Sequence, residues 1–167
     1  MVGPAFTVKT RLADNLMVHY GTHIALPSDI LVVDASGLET NSVWGGLMTH
    51  TAKKKELAGA VIDGAVRYSA LIRRLGYSVF ARAVSPMNGD KDAPGEINII
   101  IQRGGVEVRP GDITVGDGEG VVVVPQDAAE SALETALGFA AKTKKRLREI
   151  ESGRKLVPTE HFKTLQV

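Results

Sequence analysis

Arg67 is the side chain best placed by type and spacing to hold an anion. It follows the apolar run 59-GAVID-63 by four residues, and in open α/β sheets ligands collect beyond the carboxyl ends of strands. A guanidinium offers a carboxylate or phosphate a bidentate fork. A surface ion pair with Asp63 or Glu56 is the competing use. The stretch 44-WGGLMTHTAKK-54 sets two glycines at the start of a helix. Free N–H groups and the positive end of the helix dipole make an anion site there, and glycine permits close approach. The plainer alternative is a flexible loop entering a helix. His50, one turn on, falls near the same place. Asp34 and Asp63 each close a buried strand, where a carboxylate holds a metal or, more commonly, caps the next turn. His19 and His23 are four apart on a predicted helix, which is metal-ligand spacing. With no third ligand nearby, half-buried helix histidines are the simpler reading. His161 falls in the tail and reads as solvated. The run 116-GDGEG-120 imitates a nucleotide-binding glycine loop. Such a loop must open a helix, whereas this one opens the β run at 121–124, so it reads as a hairpin turn. It supports no S-adenosylmethionine or NAD site.

These groups need a frame, and 167 residues suffice for one domain with a core. The segments 5–10, 30–35, 59–63 and 77–81 read as strands, the middle two buried on both faces. Helices are predicted over 14–25, capped by Asp14, over 47–56 and over 68–75, with a loop at 36–46 and a turn through Gly64 and Ala65. This alternation implies a mostly parallel sheet with helical cover. An exposed loop at 85–96 precedes short strands at 96–101, 105–108, 112–116 and 120–125. The sequence 127-DAAE-130 reads as a capping box opening a long helix to about Ser152, with Gly153 as its C-cap and an irregular tail beyond. No repeat or dividing linker is visible. The chain has no cysteine, which excludes disulfides, thiolate nucleophiles and Cys-type zinc sites. A net charge of +1 argues against nucleic acid or a membrane surface as the main partner. No apolar run reaches the length of a membrane span, and no signal peptide is apparent. The expectation is a soluble cytoplasmic protein.

Several stretches together resemble one family: 14-DNLMVH-19, 30-ILVVDA-35, 44-WGGLM-48, 59-GAVIDGAVR-67, 75-LGYSVFAR-82, 94-PGEIN-98 and 108-VRPGDITVGDGEGVVVVP-125. The chain is similar to the RraA-like family, which holds the regulator of ribonuclease activity A and the 4-hydroxy-4-methyl-2-oxoglutarate aldolases. The resemblance implies an α/β fold, a three-layer β/β/α sandwich of the swivelling-domain type. It implies a single domain over 1–167 without the family's usual N-terminal helical segment, assembled as a homotrimer or hexamer. In the aldolase branch a divalent metal, Mg²⁺ or Mn²⁺, stabilises a pyruvate enolate during retro-aldol cleavage or oxaloacetate decarboxylation. Carried over by position, the substrate loop falls on Gly45, Gly46, Leu47 and Met48, whose amides would hold the pyruvyl group. The family's substrate arginine falls on Arg67, the one residue here assigned both a catalytic and a binding part. The family's metal-binding aspartate falls on Tyr68, and a second acidic position falls on Gly46, so no metal ligand is assigned. A glutamate from a neighbouring subunit completes the family's site and has no assigned counterpart here. The resemblance therefore implies either a metal-dependent lyase acting on a 2-oxo acid or a non-catalytic regulator that binds a ribonuclease.

Overall fold

The computed structural model describes residues 1–154. Two compact units are present, Met1–Gln126 and a second that begins at Asp127. The first unit opens with β1 (Val2–Lys9), α1 (Leu16–Ile24), β2 (Ile30–Asp34), β3 (Ser42–Trp44), α2 (Gly46–Lys54), β4 (Gly59–Val66), α3 (Ser69–Arg74) and β5 (Val79–Val84). It continues as β6 (Glu96–Ile97), β7 (Ile101–Arg103), β8 (Val106–Val108), β9 (Ile113–Asp117) and β10 (Gly120–Val124).

Side chains alternate across each strand, and both faces of this sheet are covered. Phe6, Val8, Leu31, Val33 and Ile62 point one way and meet Val18, Met48, Ala52 and Ile72 from the helices. Ala5, Ile30, Val32 and Val61 point the other way, against Ile101, Val108 and Val123. The result is three layers, helix on sheet on sheet, and β2 is buried along its whole length, as a strand covered on both faces must be.

Pairing is parallel for β1 with β2, β2 with β4, and β4 with β5, with Ile30 opposite both Ala5 and Gly59. β5 follows one edge of β4 along both its halves. The opposite edge is therefore shared: β2 occupies it as far as Asp63, and β3 takes over with Ser42 opposite Ala65. β1 is shared in the same way, since β9 pairs with its first residues and β6 with its last, both antiparallel. The chain leaves the sheet after Asp34 and re-enters at Ser42, which opens a crevice at the carboxyl end of β4.

In the first unit four sequence expectations need correction. No turn occurs at Gly64 and Ala65, because β4 runs on to Val66. Gly64 is a mid-strand glycine, present since a Cβ there would lie 2.9 Å from the Ala35 Cβ and 3.2 Å from the Leu38 carbonyl. The 36–46 loop contains β3. The apolar run 96–101 is not one strand: it breaks at Asn98, which takes a left-handed φ of 52°, as the chain leaves β1 for the β7–β8 ribbon. Asp14 is not the N-cap of α1. That position is Asn15, whose side chain makes no cap bond. The glycine run 116–120 is the predicted hairpin, joining β9 to β10.

The second unit contains α4 (Ala129–Glu151). The predicted capping box does not form. Asp127 lies in a single 3₁₀ turn, Gln126–Ala128, and Ala128 stands at the N-cap without a side-chain bond. Gly153 does take the left-handed conformation past the last turn, with φ of 90°. The predicted irregular tail and His161 lie outside the described residues, apart from Arg154.

Candidate functional site

The crevice beyond β4 is a cleft of about 430 Å³. Its floor is the turn from β3 into α2. Gly45 is extended, with φ of −164°, and the first helical bond runs from the Thr49 N–H to the Gly45 carbonyl at 3.0 Å. The N–H groups of Gly46, Leu47 and Met48 therefore have no acceptor within the helix. The floor is held from beneath by Trp44, which is buried and donates its indole N–H to the Thr49 hydroxyl at 2.9 Å. The Thr49 hydroxyl in turn donates to the Gly45 carbonyl at 3.0 Å. The two glycines are required by space as well. A Cβ on Gly45 would sit 3.1 Å from the Arg67 Cγ, and one on Gly46 would sit 2.6 Å from the Leu71 Cδ2.

Arg67 forms one wall. Its amide donates to the Trp44 carbonyl at 3.0 Å, which ties the end of β4 to the end of β3. Its side chain is half-buried, donates through Nη1 to the Asn88 Oδ1, and lies 5.2 Å from the centre of the Tyr68 ring. The ion-pair alternative of the sequence reading is not realised with Asp63. That carboxylate faces the opposite layer and accepts from the Nε of Arg82. Tyr68 follows in a left-handed conformation, φ 60° and ψ 36°, with its ring 60% exposed.

The opposite wall holds residues that the sequence did not single out for this site. Asn15, His19 and Lys91 all line the cleft. The Asn15 Oδ1 is buried and has no hydrogen-bond partner. Partial burial, and then the neighbouring Lys91 ammonium, lower the His19 pKa from its ordinary value, which favours the uncharged ring. His23 and His50 are exposed and do not line the cleft. Asp34 serves its turn, its Oδ1 accepting the Ser36 N–H at 2.9 Å. The one hint to this wall was the stretch 14-DNLMVH-19. Lys91 gave none, because its place depends on a contact between segments more than 70 residues apart.

The donor set of the described residues does not fit a metal. A hard divalent cation prefers carboxylate oxygens. Among the described residues the cleft lining contains no Asp or Glu, and no three His, Cys, Asp or Glu side chains gather elsewhere. The phenol at Tyr68 and the cations of Arg67 and Lys91 do not fit Mg²⁺ or Mn²⁺. They fit an anion. A larger cleft of about 590 Å³ on the other face is walled half by valines, and among the described residues its one arginine, Arg82, is already paired with Asp63. It lacks the convergence of cations and free amides seen beside Arg67.

Comparison with known proteins agrees with this architecture. The family model described as RraA-like, Aldolase/RraA, matches residues 1–123. A protein of Halalkalibacterium halodurans, provisionally named a 4-hydroxy-4-methyl-2-oxoglutarate aldolase, is 38% identical over 90% of this chain and 71% of its own length. A crystal structure of an uncharacterised protein from Pseudomonas syringae pv. tomato superposes with a TM-score of 0.84 at 28% identity, covering 93% of this chain and 76% of that one. The RNA-processing inhibitor RraA from Thermus thermophilis gives a TM-score of 0.70 at 29% identity, covering 74% and 75%. With its three layers and with the family model spanning β1 to β10, the chain belongs to the RraA-like family.

Proposed function

We propose that this protein binds a small 2-oxo acid in the cleft beside Arg67, without a metal ion held by the described residues. The observation that carries the reading is the convergence of Arg67 with the free amides of Gly46, Leu47 and Met48 in a cleft without a carboxylate lining. The guanidinium pairs with the acid's carboxylate. The amides at the positive end of α2 donate to the 2-oxo oxygen. Lys91 offers charge to a second carboxylate, and the unpartnered Asn15 Oδ1 takes a ligand hydroxyl. The metal-dependent lyase chemistry implied by the family needs an acidic ligand at position 68. Tyr68 does not supply it, so the natural protein binds its acid without rapid turnover. The resemblance also suggests a homotrimer or hexamer working in the cytoplasm. The likeness to the Thermus RNA-processing inhibitor favours a second reading, a regulatory protein that docks on a ribonuclease. That role would survive loss of Arg67.

Calorimetry with oxalate, a rigid stand-in for a 2-oxo acid, in the presence of a chelator tests the first reading. Wild type should bind. Arg67→Ala should bind at least about tenfold more weakly, the worth of one charge-assisted contact. Binding that requires added Mg²⁺, or that ignores Arg67→Ala, would overturn it.

A further inference from the structure

The cation Lys91 lies on a loop with neither helix nor strand on either side of it, yet its backbone is fixed at both neighbours. Asp90 donates its N–H to the Ala13 carbonyl at 2.7 Å and accepts the Asn15 N–H at 2.9 Å. On the other side, the N–H groups of Asp92 and Ala93 both donate to the Asp14 Oδ2, at 2.8 and 2.9 Å. The Asp14 Oδ1 takes the Leu16 N–H at 2.8 Å. One carboxylate, 2% exposed, thus accepts three amides from two segments distant in sequence. One of those segments carries Lys91. The other carries Asn15 and leads into α1, which carries His19. Asp14 itself does not line the cleft. Gly89 lets the loop lie this close, since a Cβ there would be 2.9 Å from the Ala13 carbonyl.

We propose that Asp14 is a positioning residue of the cleft, pinning the loop after β5 to the start of α1 so that Lys91 is held over the same anion as Asn15, His19 and Arg67. The proposal rests on reading the cleft as a carboxylate site. A lysine on an unpinned loop would lose part of its attraction to the entropy of ordering that loop at each binding event. Pinning removes that cost in advance. An aspartate is needed because an ionised carboxylate is purely an acceptor. The amide of asparagine would turn a donor toward one set of N–H groups.

The test is oxalate affinity by calorimetry for wild type, Asp14→Asn, Lys91→Ala, the double variant, and Asp112→Asn as a control. Asp112 is also buried and pins backbone, accepting the Arg109 N–H at 2.8 Å and the Gln126 N–H at 3.3 Å, but it does not line the cleft. Asp14→Asn and Lys91→Ala should each weaken oxalate about tenfold. The double variant should be no weaker than Lys91→Ala, because residues acting as one unit are not additive. Asp112→Asn should lower thermal stability and leave affinity unchanged. Wild-type affinity in Asp14→Asn or in Lys91→Ala, or a double variant weakened by the product of the two, would overturn the proposal. If Asp14→Asn does not fold, Asp14→Glu, which keeps the charge but moves the acceptor by one methylene, should show the same loss, and wild-type affinity there would overturn it too. A wild type that fails to bind oxalate sinks the reading of the cleft instead. The pin is then judged by amide exchange. Asp92 and Ala93 should exchange at least about tenfold faster in Asp14→Asn while β2 is unchanged, and unchanged rates at Asp92 and Ala93 reject it.

Discussion

Tyr68 holds a backbone conformation that suits other residues better. A left-handed φ of 60° costs a bulky L-residue about 1–2 kcal/mol, whereas Asp and Asn tolerate it. The stacking of Arg67 over the exposed ring returns only about 0.5–1 kcal/mol. Tyr68→Asp should therefore melt at or slightly above the wild-type temperature. It should also release pyruvate from oxaloacetate with Mg²⁺ faster than metal alone. Unchanged release would show that the carboxylate at this position is not the only missing ligand. Asp14 makes a second prediction. Burial alone would raise its pKa, but the N–H groups of Leu16, Asp92 and Ala93, and then Arg11, outweigh burial and leave it lowered. A carboxyl with a depressed folded pKa stabilises the fold fully above its unfolded value, near ~3.9, and that share is lost as pH falls through the folded value. Urea titrations should show a stability gap between wild type and Asp14→Asn at pH 6 that shrinks below about pH 3.5.

At the level of elements, close approaches of backbone decide which glycines matter. A Cβ on Gly95 would lie 2.3 Å from the carbonyl of Lys9 and 2.6 Å from the Met17 Cγ. The carbonyl belongs to β1 and cannot swing away, so Gly95→Ala should cost about 1–3 kcal/mol in urea unfolding. Nothing lies within 4 Å of a Cβ on Gly118, and Gly118→Ala should change stability by less than about 0.5 kcal/mol. The sequence could not separate these cases. It displayed β2 and the first half of β4 clearly, since continuous apolar runs mean strands buried on both faces. It misled at Gly64, where glycine answers to a neighbouring segment instead of to a turn. It hid β3, which is three residues long and defined by pairing with β4. The site divides along the same line. Arg67 and the Gly45–Gly46 pair were legible because a helix N-terminus and a strand-end arginine are local signals. Lys91 and Asn15 were not, because only the folded loop brings them together.

For the molecule as a whole, α4 sets a constraint. Among the described residues, Leu133, Leu137, Phe139, Leu147 and Ile150 are exposed along it, and none of its own residues is buried. A helix with that much apolar surface is costly in water, in keeping with the proposed homo-oligomer. Sedimentation should give a trimer or hexamer at micromolar concentration, and a monomer would contradict that assembly. No described helix is long and apolar enough to cross a membrane. The left-handed backbone at Tyr68 also bears on the history of the gene. Tyrosine codons become aspartate codons by one change of their first base, and the conformation at this position already suits the replacement. A population under selection for a metal-dependent activity could therefore sample that residue without rebuilding the loop. The persistence of tyrosine in such a population would mean that the phenol, or the absence of metal, is itself being selected.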